Sequence, residues 1–203
     1  AVEGYPFSEI ETRWQQRWAD LRLFKVDQAA PGAPYYCLMM YPYPSGKLHM
    51  GHIINYSIGD ALVRYHLMKG RKVLSPMGWD SFGLPAENHA IRTGVPPAQS
   101  THDCIDAMRE QMIRAGFGYD WDREIATSNP KYYRWTQGLC LQMYKKGRAF
   151  RKKAAGNWCP SCATVLANEQ VHDGACERCG TAVEQRDLEQ WFFKMSSYAQ
   201  RLL

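Results

Sequence analysis

Apolar residues along this chain switch between two periods, and the switches mark out its elements. Ser8-Glu9-Ile10-Glu11 has the spacing of a helix capping box, and Trp14, Trp18 and Leu21 then fall on one helical face. Pro31, Gly32 and Pro34 break the chain. Tyr35-Tyr36-Cys37-Leu38-Met39-Met40-Tyr41 is an unbroken apolar run, the pattern of a short strand buried on both faces. Pro42 and Pro44 end it, since neither fits inside a central strand. After the loop Tyr43-Pro44-Ser45-Gly46-Lys47, apolar residues return at helical spacing from about His49 to Lys69: Ile53, Ile54, Ile58, Leu62, Tyr65 and Leu67. Gly70 follows as the expected C-terminal cap, and Val73–Met77 reads as a second strand. Strand, loop, helix and strand in that order make a right-handed parallel crossover. This predicts an α/β fold with a nucleotide-type site above the first strand.

Further along, one helix is expected from near Thr101 to Arg114. Another starts at Asn129-Pro130, with proline at its first position, and runs to Lys146 before Gly147. From Trp158 to Val183 the chain becomes Cys-rich and turn-rich, with too few large apolar side chains for a core of its own. Residues 197–203 read as the first turns of a helix. There is no internal repeat and no low-complexity tract.

Composition narrows the class. The 203 residues are 45% hydrophobic and 22% charged, and 7 Trp, 12 Tyr and 7 Phe exclude a solvated, disordered chain. The longest apolar run is far short of the ~18 residues that a membrane-spanning helix requires. No secretory leader pattern stands at the start, and Ala1 in place of Met suggests a processed or engineered terminus. The net charge of +5 is local. Lys145, Lys146, Arg148, Arg151, Lys152 and Lys153 form a run without an acid, either a contact for a polyanion or a solvated face. An odd count of 7 Cys fits a reducing compartment, with the cytoplasm as the default.

Two constellations carry chemistry. Cys159-Pro-Ser-Cys162 and Cys176-Glu-Arg-Cys179 are paired knuckles with the pattern of a tetrahedral, structural Zn²⁺ site. Such a metal supplies the folding energy that a miniature core lacks. His172 lies close enough in sequence to compete as a ligand, and neither knuckle has the setting of a redox pair. The second constellation is His49-Met50-Gly51-His52, at the start of the helix that follows the apolar strand. A helix N-terminus favours an anion, and His49, His52 and Lys47 add donors for phosphate oxygens, while Gly51 would let a flat base approach the backbone. Neither a P-loop nor a dinucleotide fingerprint is present.

The stretch Tyr41-Pro-Tyr-Pro-Ser-Gly-Lys-Leu-His-Met-Gly-His52 resembles the signature of class I aminoacyl-tRNA synthetases. With Gly78-Trp-Asp-Ser-Phe-Gly-Leu-Pro-Ala-Glu87 it is similar to the bacterial-type leucyl branch of that family. Gly118-Tyr-Asp-Trp-Asp-Arg-Glu124, Asn157-Trp-Cys-Pro160 and Ala167-Asn-Glu-Gln170 extend the likeness over essentially the whole chain. The resemblance implies the first half of a Rossmann-like parallel nucleotide-binding fold with an inserted zinc ribbon. It also implies the reaction: leucine and ATP give leucyl-adenylate, and leucine then passes to tRNA(Leu), with Mg²⁺ accompanying ATP. In this reading His49 and His52 hold the ATP phosphates as the catalytic pair, and Gly51 lies under the adenine. Asp80 pairs with the amino acid's ammonium, and Met40, Tyr41 and Tyr43 line the leucine pocket, whereas Met39 is core.

Lys194-Met-Ser-Ser197 looks like the family's second signature, Lys-Met-Ser-Lys-Ser. Ser197 stands where its second lysine would be, and the position directly after Trp191-Phe-Phe193 argues against that role. The expected organisation is a helical extension (1–34), the N-terminal half of the catalytic domain (35–153), the zinc ribbon (154–184) and a return segment (185–203). On this reading the chain is the N-terminal part of a synthetase. It depends on the remainder of that polypeptide and is inactive in tRNA charging alone. The alternative is a catalytically inactive stand-alone module that combines a zinc ribbon with a nucleotide pocket.

Overall fold

The computed structural model describes residues 4–203, apart from the side chain of Pro85, so Ala1 lies outside the described residues. The chain divides into two compact units, Ala1–Tyr132 and Tyr133–Leu203.

The first unit is built on parallel strand pairs. Strand β1 (Pro34–Tyr36) pairs with β2 (Lys72–Leu74) in the register Tyr35 to Val73, and α2 (Met50–Met68) connects them. Pro76, which has no N–H to give, interrupts the strand after β2. It resumes as β3 (Gly78–Trp79), parallel to β4 (Ile125–Ala126). Backbone bonds bridge the interruption: Asp120 N–H donates to the Ser75 carbonyl at 2.9 Å, and Ile125 N–H to the Met77 carbonyl at 3.3 Å. Segment 72–81 thus runs between the 34–42 segment and the 120–128 segment. This is the parallel crossover expected from the sequence.

The core lies under that middle segment. Tyr56, Met77, Trp79, Ile105, Met108, Met112, Phe117 and Tyr119 form one cluster, and Cys37, Val63 and Val73 a second. Helix α4 (Pro97–Arg114) supplies Ile105, Met108 and Met112 at helical spacing, so one face is buried and the other is left to solvent. Helices α1 (Phe7–Asp20) and α3 (Leu84–Thr93) complete the unit.

Several expectations need correction. The capping box at Ser8 does not form: α1 starts at Phe7 with Pro6 before it, and the Ser8 carbonyl accepts the Thr12 hydroxyl from inside the first turn. The apolar run 35–41 is not buried on both faces. Its regular part ends at Tyr36, and Tyr36, Leu38 and Met40 are exposed while Cys37 is buried and Met39 packs on the core. In α2 the buried positions are Tyr56, Gly59 and Val63, and the stripe Ile54, Ile58, Leu62 and Tyr65 is exposed. That helix carries two apolar faces, and the core of this unit covers the one with Tyr56. Helix α3 goes unread in the sequence because Pro85 falls within the motif around Asp80, although proline early in a helix is a start signal. Helix α4 begins at Pro97, four residues before Thr101. Gly70, at φ +70°, does close α2, in a conformation that costs other residues more.

The second unit holds most of α5 (Pro130–Lys145) and a long antiparallel ribbon. Strands β5 (Ala149–Cys159) and β9 (Glu184–Phe193) pair along their whole length, and β6 (Thr164–Leu166) adds to β5. The short pair β7 (Val171–His172) and β8 (Ala175–Cys176) sits at the cysteine end, around a small cluster of Cys159, Leu166 and Cys176. A 3-10 turn at Ser196–Tyr198 and α6 (Ala199–Leu202) close the chain, where the sequence predicts a helix start.

Candidate active site and metal centre

The site in the first unit forms where the 34–42 segment ends and α2 begins. His49 caps α2 in an extended conformation, and its backbone N–H donates to Nδ1 of His52 at 3.3 Å. The two imidazoles stack, and the His52 ring in turn lies parallel to that of Tyr56, with centroids 5.9 Å apart. Burial, and then the proximity of His49, lower the pKa of His52. The first turn of α2 holds no acidic residue, so nothing offsets its positive end. Gly51 is exposed, and a Cβ there would come within 3.0 Å of the His49 ring. Lys47 is exposed in the preceding loop.

The sequence pattern does not mark Tyr56, yet it lies between the histidines and the 34–42 segment. Its hydroxyl donates to the Met40 carbonyl at 3.2 Å. Burial pushes that phenol up to about 12, so it stays a proton donor at neutral pH. Its place one helical turn after His52 is the signal that could have found it.

On the other side, the N–H of Asp80 donates to the Pro42 carbonyl at 3.1 Å. Tyr43 and Asp80 share a small hollow with Ser81, Phe82 and Thr101. Tyr41 lies flat on Gly78, where a Cβ would be 2.5 Å from its ring, so only glycine permits that approach. Met40 is 78% exposed and Tyr43 62%, so both are free to meet a ligand, while Met39 packs on the core as expected.

In the second unit the sulfurs of Cys159, Cys162, Cys176 and Cys179 all lie within 4.8 Å of one another. A tetrahedral Zn–S₄ centre with bonds of about 2.3 Å has sulfurs about 3.8 Å apart, so the four residues fit such an ion with little movement. The N–H of Cys162 points at the Cys159 sulfur, 3.4 Å away, as an N–H does when it supports a thiolate. Hydrogen bonding with Thr181 holds the Cys179 thiol low, and the bond between Cys162 and Cys179 pushes Cys162 up. The cluster does not include His172, whose imidazole faces Glu177. Lys194 follows β9 directly, and its N–H donates to the Arg148 carbonyl.

The family model described as tRNA synthetases class I (M) matches residues 35–191. The chain belongs to the class I tRNA synthetases. Leucine--tRNA ligase of Nitratidesulfovibrio vulgaris is 56% identical over 199 residues, which is 98% of this chain and 24% of that protein. The chain thus spans about a quarter of the length of that relative. Among solved structures, the ternary complex of Agrobacterium radiobacter K84 agnB2 LeuRS with tRNA and LeuAMS superposes at a TM-score of 0.89. It is 48% identical, and the match covers 98% of this chain and 26% of that one. Mycobacterium tuberculosis methionyl-tRNA synthetase in complex with methionyl-adenylate matches at a TM-score of 0.68 over 84% of this chain and 34% of its own. At 24% identity this is a likeness of fold alone. Both synthetases share the mixed α/β architecture, and among the described residues no helix is long and apolar enough to cross a membrane.

Proposed function

We propose that this chain is the N-terminal part of a leucyl-tRNA synthetase, holding half of its Rossmann-like catalytic domain. It would carry the ATP-phosphate contacts and part of the leucine pocket. The observation that supports this most is the clamping of the Met40–Tyr43 segment. Tyr56 ties Met40 to the histidine pair, and Asp80 ties Pro42 to the hollow it shares with Tyr43. One short strand end therefore sets the phosphate donors and the candidate ammonium partner relative to each other.

In the proposed reaction the leucine carboxylate attacks the α-phosphorus of ATP, and pyrophosphate leaves. Asp80 pairs with the leucine ammonium, while Met40, Tyr41 and Tyr43 surround the side chain. His49 and His52, at the positive end of α2, stabilise charge on the phosphate oxygens as it develops, and Gly51 makes room for the adenine. Mg²⁺ accompanying ATP would supply further charge neutralisation. A ribose hydroxyl of the terminal adenosine of tRNA(Leu) then attacks the carbonyl carbon of the adenylate, forming the leucyl ester and releasing AMP. The four cysteines hold a structural Zn²⁺, with no position left open for water. An odd count of seven cysteines, four of them clustered as metal ligands rather than as disulfide pairs, supports a cytoplasmic setting.

Two substitutions in the full-length protein test the assignment. His52→Ala is expected to lower the rate of adenylate formation by about 10²–10³, the usual loss for one preorganised donor. Asp80→Asn is expected to raise the leucine KM and leave the ATP KM alone. An effect of His52→Ala confined to the ATP KM would mean uniform binding and remove its transition-state role.

A further inference from the structure

The hydrogen bonds around Asp80 continue beyond the hollow, into the segment that follows β4. Asp80 bonds to one side through Pro42, and its two neighbours bond to the other. The Trp79 carbonyl accepts the Thr127 N–H at 3.0 Å. The Ser81 N–H donates to Oγ1 of Thr127 at 2.9 Å, and the Ser81 hydroxyl donates to that of Ser128 at 2.7 Å. Regular pairing of β3 with β4 stops at Trp79, so the Thr127 hydroxyl takes the place of the next carbonyl in the ladder.

The Trp79 side chain is fixed as well. Its ring is 1% exposed, and its indole N–H donates to Oε1 of Glu124. Arg109 grips the same carboxylate through Nε at 2.9 Å and its terminal nitrogen at 2.8 Å, and it is itself held by Asp106 at 2.6 Å. A neutral acceptor would satisfy a buried indole N–H. A carboxylate clamped by an arginine fork also fixes the direction of the bond.

We infer that Thr127 and Glu124 are positioning residues for leucine recognition, acting on Asp80 through Ser81 and Trp79. The inference rests on the role proposed above for Asp80. Neither residue lines the hollow, and both hold the chain on either side of Asp80, which lines it together with Tyr43. A displacement of a fraction of an ångström there weakens the ion pair with the leucine ammonium without disturbing the histidine pair.

The test is leucine-dependent ATP–pyrophosphate exchange by the full-length protein, read as separate KM values for leucine and ATP and as kcat. Thr127→Val keeps the shape and the backbone bond but removes the acceptor for Ser81 N–H. It is expected to raise the leucine KM about tenfold, the usual worth of such a bond. The ATP KM should stay within about twofold, because uniform loss of fold would lower kcat instead. Thr127→Ser restores the hydroxyl and is expected to restore the leucine KM. Glu124→Ala should move the leucine KM in the same direction; if it does not fold, the Thr127 pair decides. An unchanged leucine KM in Thr127→Val, beside a raised one in Asp80→Asn, overturns the inference and leaves the proposed site standing. An unchanged leucine KM in Asp80→Asn itself overturns both.

Discussion

The imidazoles of His49 and His52 stack with centroids 3.8 Å apart and planes 24° from parallel. Burial first, and then the adjacent His49 ring, disfavour a positive charge on His52, so its pKa lies below the ordinary imidazole value. The pair therefore meets a substrate with His52 neutral at physiological pH, one nitrogen a donor and the other taken by the His49 N–H.

The free protein should show His52 titrating below the usual value of about 6.5, with His49→Ala raising it. Bound pyrophosphate should raise it too, because an anion favours the imidazolium. The sign for stability follows from the depressed folded value. Above about 6.5 the group is neutral in both states and carries no penalty, and as pH falls from there the unfolded chain takes the proton more readily and the fold is destabilised. Imidazole resonances followed against pH check this. A His52 that titrates above the ordinary value in the free protein would refute it.

Gly78→Ala should be costly in a specific way. The added Cβ would stand 2.5 Å from the Tyr41 ring, in backbone that has no room to retreat, since Trp79 beside it is buried. Overpacking of this kind costs about 1–3 kcal/mol. Thermal unfolding should report the loss, and a raised leucine KM should report the displaced ring. A melting temperature and KM equal to the parent's would show that Tyr41 does not depend on that approach.

One Zn²⁺ per chain is expected in protein purified under reducing conditions, held by Cys159, Cys162, Cys176 and Cys179. Cys176→Ser should lower the content, and His172→Ala should leave it unchanged, because that imidazole lies outside the sulfur cluster. Elemental analysis decides; less than half a zinc per chain would contradict the assignment.

How much of this was legible in the sequence differs from element to element. The crossover around α2 is readable because proline and glycine punctuate it chemically: Pro42 and Pro44 separate the apolar run from the helix and Gly70 ends the helix, although the regular strand itself stops earlier, at Tyr36. The cysteine cluster is readable because ligand spacing is itself the geometry. Which face of α2 is buried is not, since Ile54, Ile58 and Leu62 are as apolar as any core stripe. The choice depends on which partner packs there, and that is tertiary information. The hollow is half legible. Asp80 and Tyr43 stand in quotable motifs, but they meet only because the Asp80 N–H finds the Pro42 carbonyl across the sheet. Thr127 shows nothing in its own neighbourhood, where Asn129-Pro130 marks only the start of α5.

The most direct test of the account is amino-acid-dependent ATP–pyrophosphate exchange by the full-length protein, with leucine, isoleucine, valine and methionine compared at equal concentration. Robust exchange with leucine is expected. Valine, one methylene smaller, should be slower by about 10–200-fold, and isoleucine, an isomer with its branch moved to Cβ, should also be slower than leucine. Exchange driven best by methionine, or none with any of the four, would contradict it.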